Sequence, residues 1–133
     1  IHRAGRFNFD SNIHSLPKRM CNSFLDWVYQ DYKIGLIARY ISSYTNNREI
    51  PESVSNTGYK SKIDSSLVFD FSVKKSFSNH LKNVELTGSL ALINLFDEKP
   101  PKLYDAPDFS FDTRVHDPRG RMINIQFELS SKN

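Results

Sequence analysis

Apolar and polar residues alternate one for one along most of this chain, and that alternation limits the possible folds more than any other feature. A period of two puts apolar side chains on one face of a strand and polar ones on the other. It runs through Phe7, Phe9 and Ile13, then Leu25, Trp27 and Tyr29, then Ile34, Leu36, Ala38 and Tyr40. It resumes at Leu67, Phe69, Phe71 and Val73, at Val84, Leu86, Leu90 and Leu92, and at Ile123, Ile125, Phe127 and Leu129. Six strands are predicted, at about 5–15, 22–30, 32–44, 63–74, 83–95 and 121–131.

The connections are unequal. Asp31 and Tyr32 make a tight turn, and 75–82 is short and polar, whereas 45–62 and 97–120 are long and rich in Asn, Pro and Gly. Long loops in compact domains tend to carry function. An antiparallel up-and-down meander follows, all neighbours paired in sequence order, with both long loops at one end. The short link 16–21 also falls at that end. A Greek-key crossover or a parallel pair among these strands would defeat a barrel.

Two all-β architectures fit this pattern. In a soluble β-sandwich the apolar face meets a second sheet; in an outer-membrane barrel it meets lipid while the polar face lines a wet lumen. Three features lean toward the barrel. The strands approach the ~9–11 residues that a tilted strand needs to cross a bilayer. The turns are short on one side and the larger loops lie on the other. Aromatic residues stand near the strand ends, Trp27, Tyr29 and Tyr32 at one rim and Tyr40 and Tyr44 at the other, as interfacial girdles do.

Composition narrows the function. A chain of 133 residues has room for one domain. The net charge of +3, from 18 basic and 15 acidic residues, is too even to imply nucleic-acid binding. Cys21 is the only cysteine, so neither a disulfide framework nor a thiolate zinc cluster is available. His2, His14, His80 and His116 lack metal-ligand spacing, and there is no nucleophile elbow or phosphate loop. No catalytic residue, cofactor or metal is therefore expected. No apolar run is long enough for a membrane-spanning helix. The start at Ile1-His2-Arg3, without an initiator Met or signal pattern, reads as a processed chain or a piece of a longer one.

The stretch from Leu86 to Pro101, containing Asn94-Leu95-Phe96-Asp97 followed by Glu98-Lys99-Pro100, resembles the penultimate strand of TonB-dependent outer-membrane receptors. Asp117-Pro118-Arg119-Gly120-Arg121 resembles the element that leads into that family's closing strand. Arg39-Tyr40-Ile41-Ser42-Ser43-Tyr44-Thr45, followed by a polar loop and Ile63-Asp64-Ser65, matches the family layout as well. The likeness covers most of the chain and is strongest over 84–131.

This resemblance implies the C-terminal end of a receptor in the outer membrane of a Gram-negative bacterium. The whole barrel would have 22 strands around an N-terminal plug that contacts TonB, and the plug would lie upstream. The partners implied are outer-membrane lipid, TonB through that plug, and a small nutrient such as a siderophore, cobalamin or an oligosaccharide. The alternative is a soluble β-sandwich ligand-binding module, such as a carbohydrate binder. The family's last strand usually ends in an aromatic residue. Here Leu129 leads to Ser130-Ser131-Lys132-Asn133, so either Phe127 and Leu129 carry the assembly signal or this copy is degenerate or extended.

Individual residues follow from chemistry. Asn94 and Asp97 suit backbone hydrogen bonding where a strand enters a loop, and Phe96 suits the membrane interface. Pro118 and Gly120 favour a reversal, and Arg119 or Arg121 can pair with a carboxylate such as Asp117. The loop holding Tyr104, Asp105, Asp108, Phe109 and Phe111 interleaves acids with aromatics, a surface suited to stacking on a sugar or siderophore ring. Lys33, Arg39, Asp70 and Glu85 are expected on the wet face, where mutual neutralisation is their simplest role.

Overall fold

A computed structural model of the chain describes residues 6–7, 17–46, 50–55, 60–77, 84–104, 111–113 and 115–131. Its elements are β1 (Arg6–Phe7), β2 (Met20–Tyr29), β3 (Tyr32–Ile41), β4 (Tyr44–Asn46), a single helical turn α1 (Glu52–Ser55), β5 (Lys62–Ile63), β6 (Ser66–Ser76), β7 (Val84–Ile93) and β8 (Met122–Ser131). The fold is all-β. Five strands of 10 or 11 residues form one sheet in the order β2-β3-β6-β7-β8, an open up-and-down meander.

The sheet is antiparallel. Phe71 stands opposite Leu92 and Ser76 opposite Thr87 across β6 and β7; Val84 pairs with Ser131 and Ile93 with Met122 across β7 and β8. Ser76 donates its backbone N–H to the Asp31 carbonyl at 3.0 Å, and Gly35 faces Ser72, which fixes β3 against β6 in the same sense. Gln30 and Asp31 form the two-residue turn between β2 and β3, with Gln30 at φ 51°. The first position of such a turn calls for a positive φ that glycine adopts most readily. The two long connections both leave from the same end of the meander.

The register sorts the side chains. Leu86, Leu90 and Leu92 stand opposite Leu129, Ile125 and Ile123, and Phe71 and Val73 stand opposite Leu92 and Leu90, so all share one face, with Phe69 two residues along. Glu85, Asn124, Gln126 and Glu128 take the opposite face, with Asp70 in alternation. Arg39 falls there too when the β3–β6 register is continued. β2 breaks the clean alternation: Phe24 and Val28 place apolar side chains on the polar face, 77% and 61% exposed.

Three expectations are corrected. The wall has five strands rather than six. Of the strand predicted at 5–15 the described part is β1, which pairs with β4 in a separate three-stranded sheet, β1-β4-β5; this pair is parallel and out of sequence order, against the expectation that all neighbours pair antiparallel in sequence order; residues 8–16 lie outside the described residues. Among the described residues, the edge strands of the wall are β2 and β8. The strand predicted at 32–44 stops at Ile41. Ser42 ends it by donating its backbone N–H to the Arg19 carbonyl at 2.9 Å, while its Oγ accepts the Arg19 N–H at 3.1 Å. Tyr44 then begins β4, opposite Ile63 of β5.

The chain forms two compact units, one of residues 1–21, 39–67 and 99–119, the other of 22–38, 68–98 and 120–133. Among the described residues, the buried apolar side chains are Tyr44, Ile63 and Leu103, all in the first unit. Among the described residues of the second unit, which holds most of the wall, no apolar side chain is buried. Its edge strands are exposed along their length.

Candidate functional site

The Asn94-Leu95-Phe96-Asp97 run ends β7 and builds a lock from side-chain-to-backbone bonds. Asn94 and Asp97 adopt φ of 53° and 55°, a left-handed conformation that short polar side chains tolerate best. The Asn94 side chain works in both directions on one residue: its Nδ2 donates to the Glu98 carbonyl at 2.9 Å, and its Oδ1 accepts the Glu98 N–H at 2.8 Å. The Asn94 backbone N–H donates to Oδ1 of Asp70, at 2.9 Å, and the Leu95 N–H to the Phe69 carbonyl at 2.7 Å, tying the end of β7 to β6.

Asp97 completes the lock toward β8. Its Oδ1 accepts the Arg121 backbone N–H at 2.8 Å. Gly120 is required at this approach, because a Cβ there would lie 2.7 Å from the same oxygen. The base of the 97–120 connection is therefore closed by one carboxylate. Phe96 is 69% exposed and meets Phe69 edge-on, with ring centroids 5.7 Å apart, an arrangement aromatic pairs favour.

Asp117 and Arg119 form a fork within three residues. The Arg119 Nε donates to Oδ1 at 2.9 Å and its Nη2 to Oδ2 at 2.7 Å, and the Arg119 backbone N–H adds a bond to Oδ1 at 3.0 Å. The guanidinium bonds, seconded by that backbone N–H, hold the Asp117 carboxyl down to about 2. The pairing raises the Arg119 pKa in turn. Both groups are exposed, so the fork sets the shape of the turn more than it adds stability. The pairing expected for Arg119 is present; Arg121 contributes its backbone to the Asp97 lock.

The acidic-aromatic loop is placed only in part. Tyr104 is half-buried and its carbonyl accepts Nδ2 of Asn46 at 3.1 Å; Phe111 is also half-buried. Asp105, Asp108 and Phe109 lie outside the described residues. Asp70, expected on the wet face, is used by the lock. Glu85, also on that face, accepts a bond from the Ser76 Oγ at 2.9 Å.

One cluster was not foreseen. His116, one residue before Asp117, is buried between two hydroxyls: its Nε2 lies 3.3 Å from the Tyr44 OH and its Nδ1 3.4 Å from the Ser66 Oγ. The Tyr44 and His116 rings stack 6.2 Å apart. Burial lowers the His116 pKa from 6.5, and the neighbouring Asp112 carboxylate opposes the shift. A neutral imidazole suits the site, since it can accept from one hydroxyl and donate to the other. The only sequence signal was the closeness of His116 to the Asp117 turn.

Among the described residues, no group of three His, Cys, Asp or Glu side chains converges to hold a metal ion. The arrangement is one of locks and faces. No protein-family model, curated protein or solved structure matches this chain.

Proposed function

We propose that this chain is wall from the C-terminal end of an outer-membrane β-barrel, a TonB-dependent receptor that imports a scarce nutrient. One observation carries the reading: a long antiparallel meander whose apolar face is exposed on its described edge strands and half-buried on β6 and β7 between them. Ile123, Ile125, Phe127 and Leu129 on β8 are 64–72% exposed, and Leu25, Trp27 and Tyr29 on β2 are 57–65% exposed. A sandwich would bury such residues between two sheets. Lipid would cover them without any second layer, leaving the polar face to a wet lumen. The Asn94–Asp97 and Asp117–Arg121 elements support the family, each acting on the backbone around the last strand.

In this reading the receptor's nutrient is a siderophore, cobalamin or an oligosaccharide, bound from outside. The loop from Tyr104 to Phe111 belongs to the extracellular rim. Energy arrives through TonB and a plug upstream of this segment. The test has two arms. After Cys21→Ser, nitroxide labels placed singly from 122 to 130 in outer-membrane vesicles are compared for collision with oxygen and with a water-soluble nickel complex. Odd positions should favour oxygen and even positions nickel; odd positions shielded from both reagents would overturn the wall. Deleting the intact gene should abolish TonB-dependent uptake of one nutrient class. Unchanged uptake of all three would overturn the transport role and leave the wall standing.

A further inference from the structure

The polar face of the wall holds a hollow of about 290 Å3 whose floor is Gly35. Asp26, Lys33, Ser72 and Lys74 line it. Gly35 makes the space: a Cβ there would lie 2.7 Å from the Ser72 Oγ and 3.3 Å from Oδ1 of Asp26. The register that sets Gly35 beside Ser72 and Asp31 beside Ser76 places Lys33 directly opposite Lys74. Two like charges in that position destabilise a strand pair unless something lies between them.

The other charges foreseen on this face differ. Asp70 and Glu85 accept hydrogen bonds from the wall itself, and Arg39 acts electrostatically on Asp117. Among the described residues, the salt bridges are Lys60 with Asp64 and Arg119 with Asp117, and neither involves Lys33 or Lys74. The hollow is thus lined by Lys33, Lys74, Ser72 and Asp26 together with the apolar Trp27, Val28 and Ile34, and its charged residues are two lysines against one carboxylate.

We infer that the hollow over Gly35 is a binding site for a small oxyanion, the phosphate or carboxylate group of a soluble molecule. Lys33 and Lys74 donate to its oxygens from two neighbouring strands, and Ser72 adds a third donor. Asp26 restrains affinity, so that the site exchanges its occupant readily. The inference does not depend on what covers the opposite face, and its failure would leave the proposed wall intact.

The test is a titration of the full chain in detergent micelles with inorganic phosphate and, separately, with acetate, following backbone amide resonances by NMR. Sodium chloride at matched ionic strength is the control. One of the two probes should shift the Gly35 and Ser72 amides saturably, and the one that saturates identifies the group. Lys33→Gln and Lys74→Gln should each weaken binding about twofold to fivefold, the range for exposed charge pairs, and Asp26→Asn should strengthen it by a similar factor. Gly35→Ala should weaken binding, because the methyl displaces the Ser72 hydroxyl from its place in the hollow. Circular dichroism checks that the sheet survives; if Gly35→Ala unfolds it, the three charge variants decide. Shifts that grow linearly or match those of chloride would overturn the site, as would lysine variants that bind like the parent chain.

Discussion

Ile63 and Ile125 are the same residue in two settings: the first, in the unit built on β4 and β5, is 1% exposed, and the second, on β8, is 66% exposed. Burying such a side chain contributes about 1.5–3 kcal/mol. The β4–β5 unit gains that internally, with Tyr44 and Leu103 beside Ile63, and satisfies the polar groups it buries, as Asn46 does on the Tyr104 carbonyl. β8 leaves the Ile125 side chain exposed. The comparison teaches that the wall's apolar residues are not a defective core. They form a regular surface, which in the proposed reading faces lipid, whereas the unit holding Ile63 buries its apolar side chains against one another.

The comparison can be broken first at its dry end. Ile63→Ala should cost about 2–5 kcal/mol, the range for truncating a buried isoleucine. Hydrogen exchange should show β4 and β5 opening while β7 and β8 keep their protection; equal loss in both would mean that the two units share one core. On β8, Ile125→Arg should cost about 2–4 kcal/mol in a membrane-inserted wall, while Gln126→Arg on the opposite face costs little. Equal costs for this pair, measured by unfolding from vesicles, would remove the distinction between the two faces.

The lock joins β7 to β8, and its effect should be smaller. Asp97→Ala removes the acceptor of the Arg121 N–H and should cost about 1 kcal/mol. Gly120→Ala should also destabilise, by pushing on the same carboxylate, and Asp97→Ala should relieve part of that penalty in the double variant; strict additivity would deny the contact. The smallest effect is titration of His116. Its pKa is lowered in the folded chain, so its contribution is fully present above pH 6.5 and is lost as pH falls through the lowered value. Exchange protection around Tyr44 and Ser66 should decline over that acid range, and His116→Gln should flatten the profile.

Alternation made the five wall strands legible to within a few residues, because one face of each must differ from the other. It did not reveal which sheet a strand joins. Tyr44 continues the pattern of β3, yet it opens β4, which pairs with β1 and β5, since a period of two records side-chain direction and not the neighbouring strand. β1 was misplaced for the same reason. Asn94 and Asp97 were legible as strand-ending residues because their side chains are short acceptors suited to backbone bonding. The partner of Asp97, 24 residues away, was not, since nothing local marks a backbone N–H as a distant acceptor's target. His116 was invisible because its burial comes from Tyr44 and Ser66, both remote in sequence.

The bond from Asp97 to the Arg121 N–H has a practical side. A stretch of more than twenty residues leaves the wall and returns to it at one fixed clasp, so what lies between is free of the task of aligning β8. Doubling the length of a flexible loop raises its closure cost by only about 0.6 kcal/mol. The part between Tyr104 and Phe111 can therefore be treated as an interchangeable cassette. Foreign peptides or epitopes spliced in after Tyr104 and before Phe111 should be displayed without shifting the strand that follows, provided Asp97, Leu103 and Gly120 are kept.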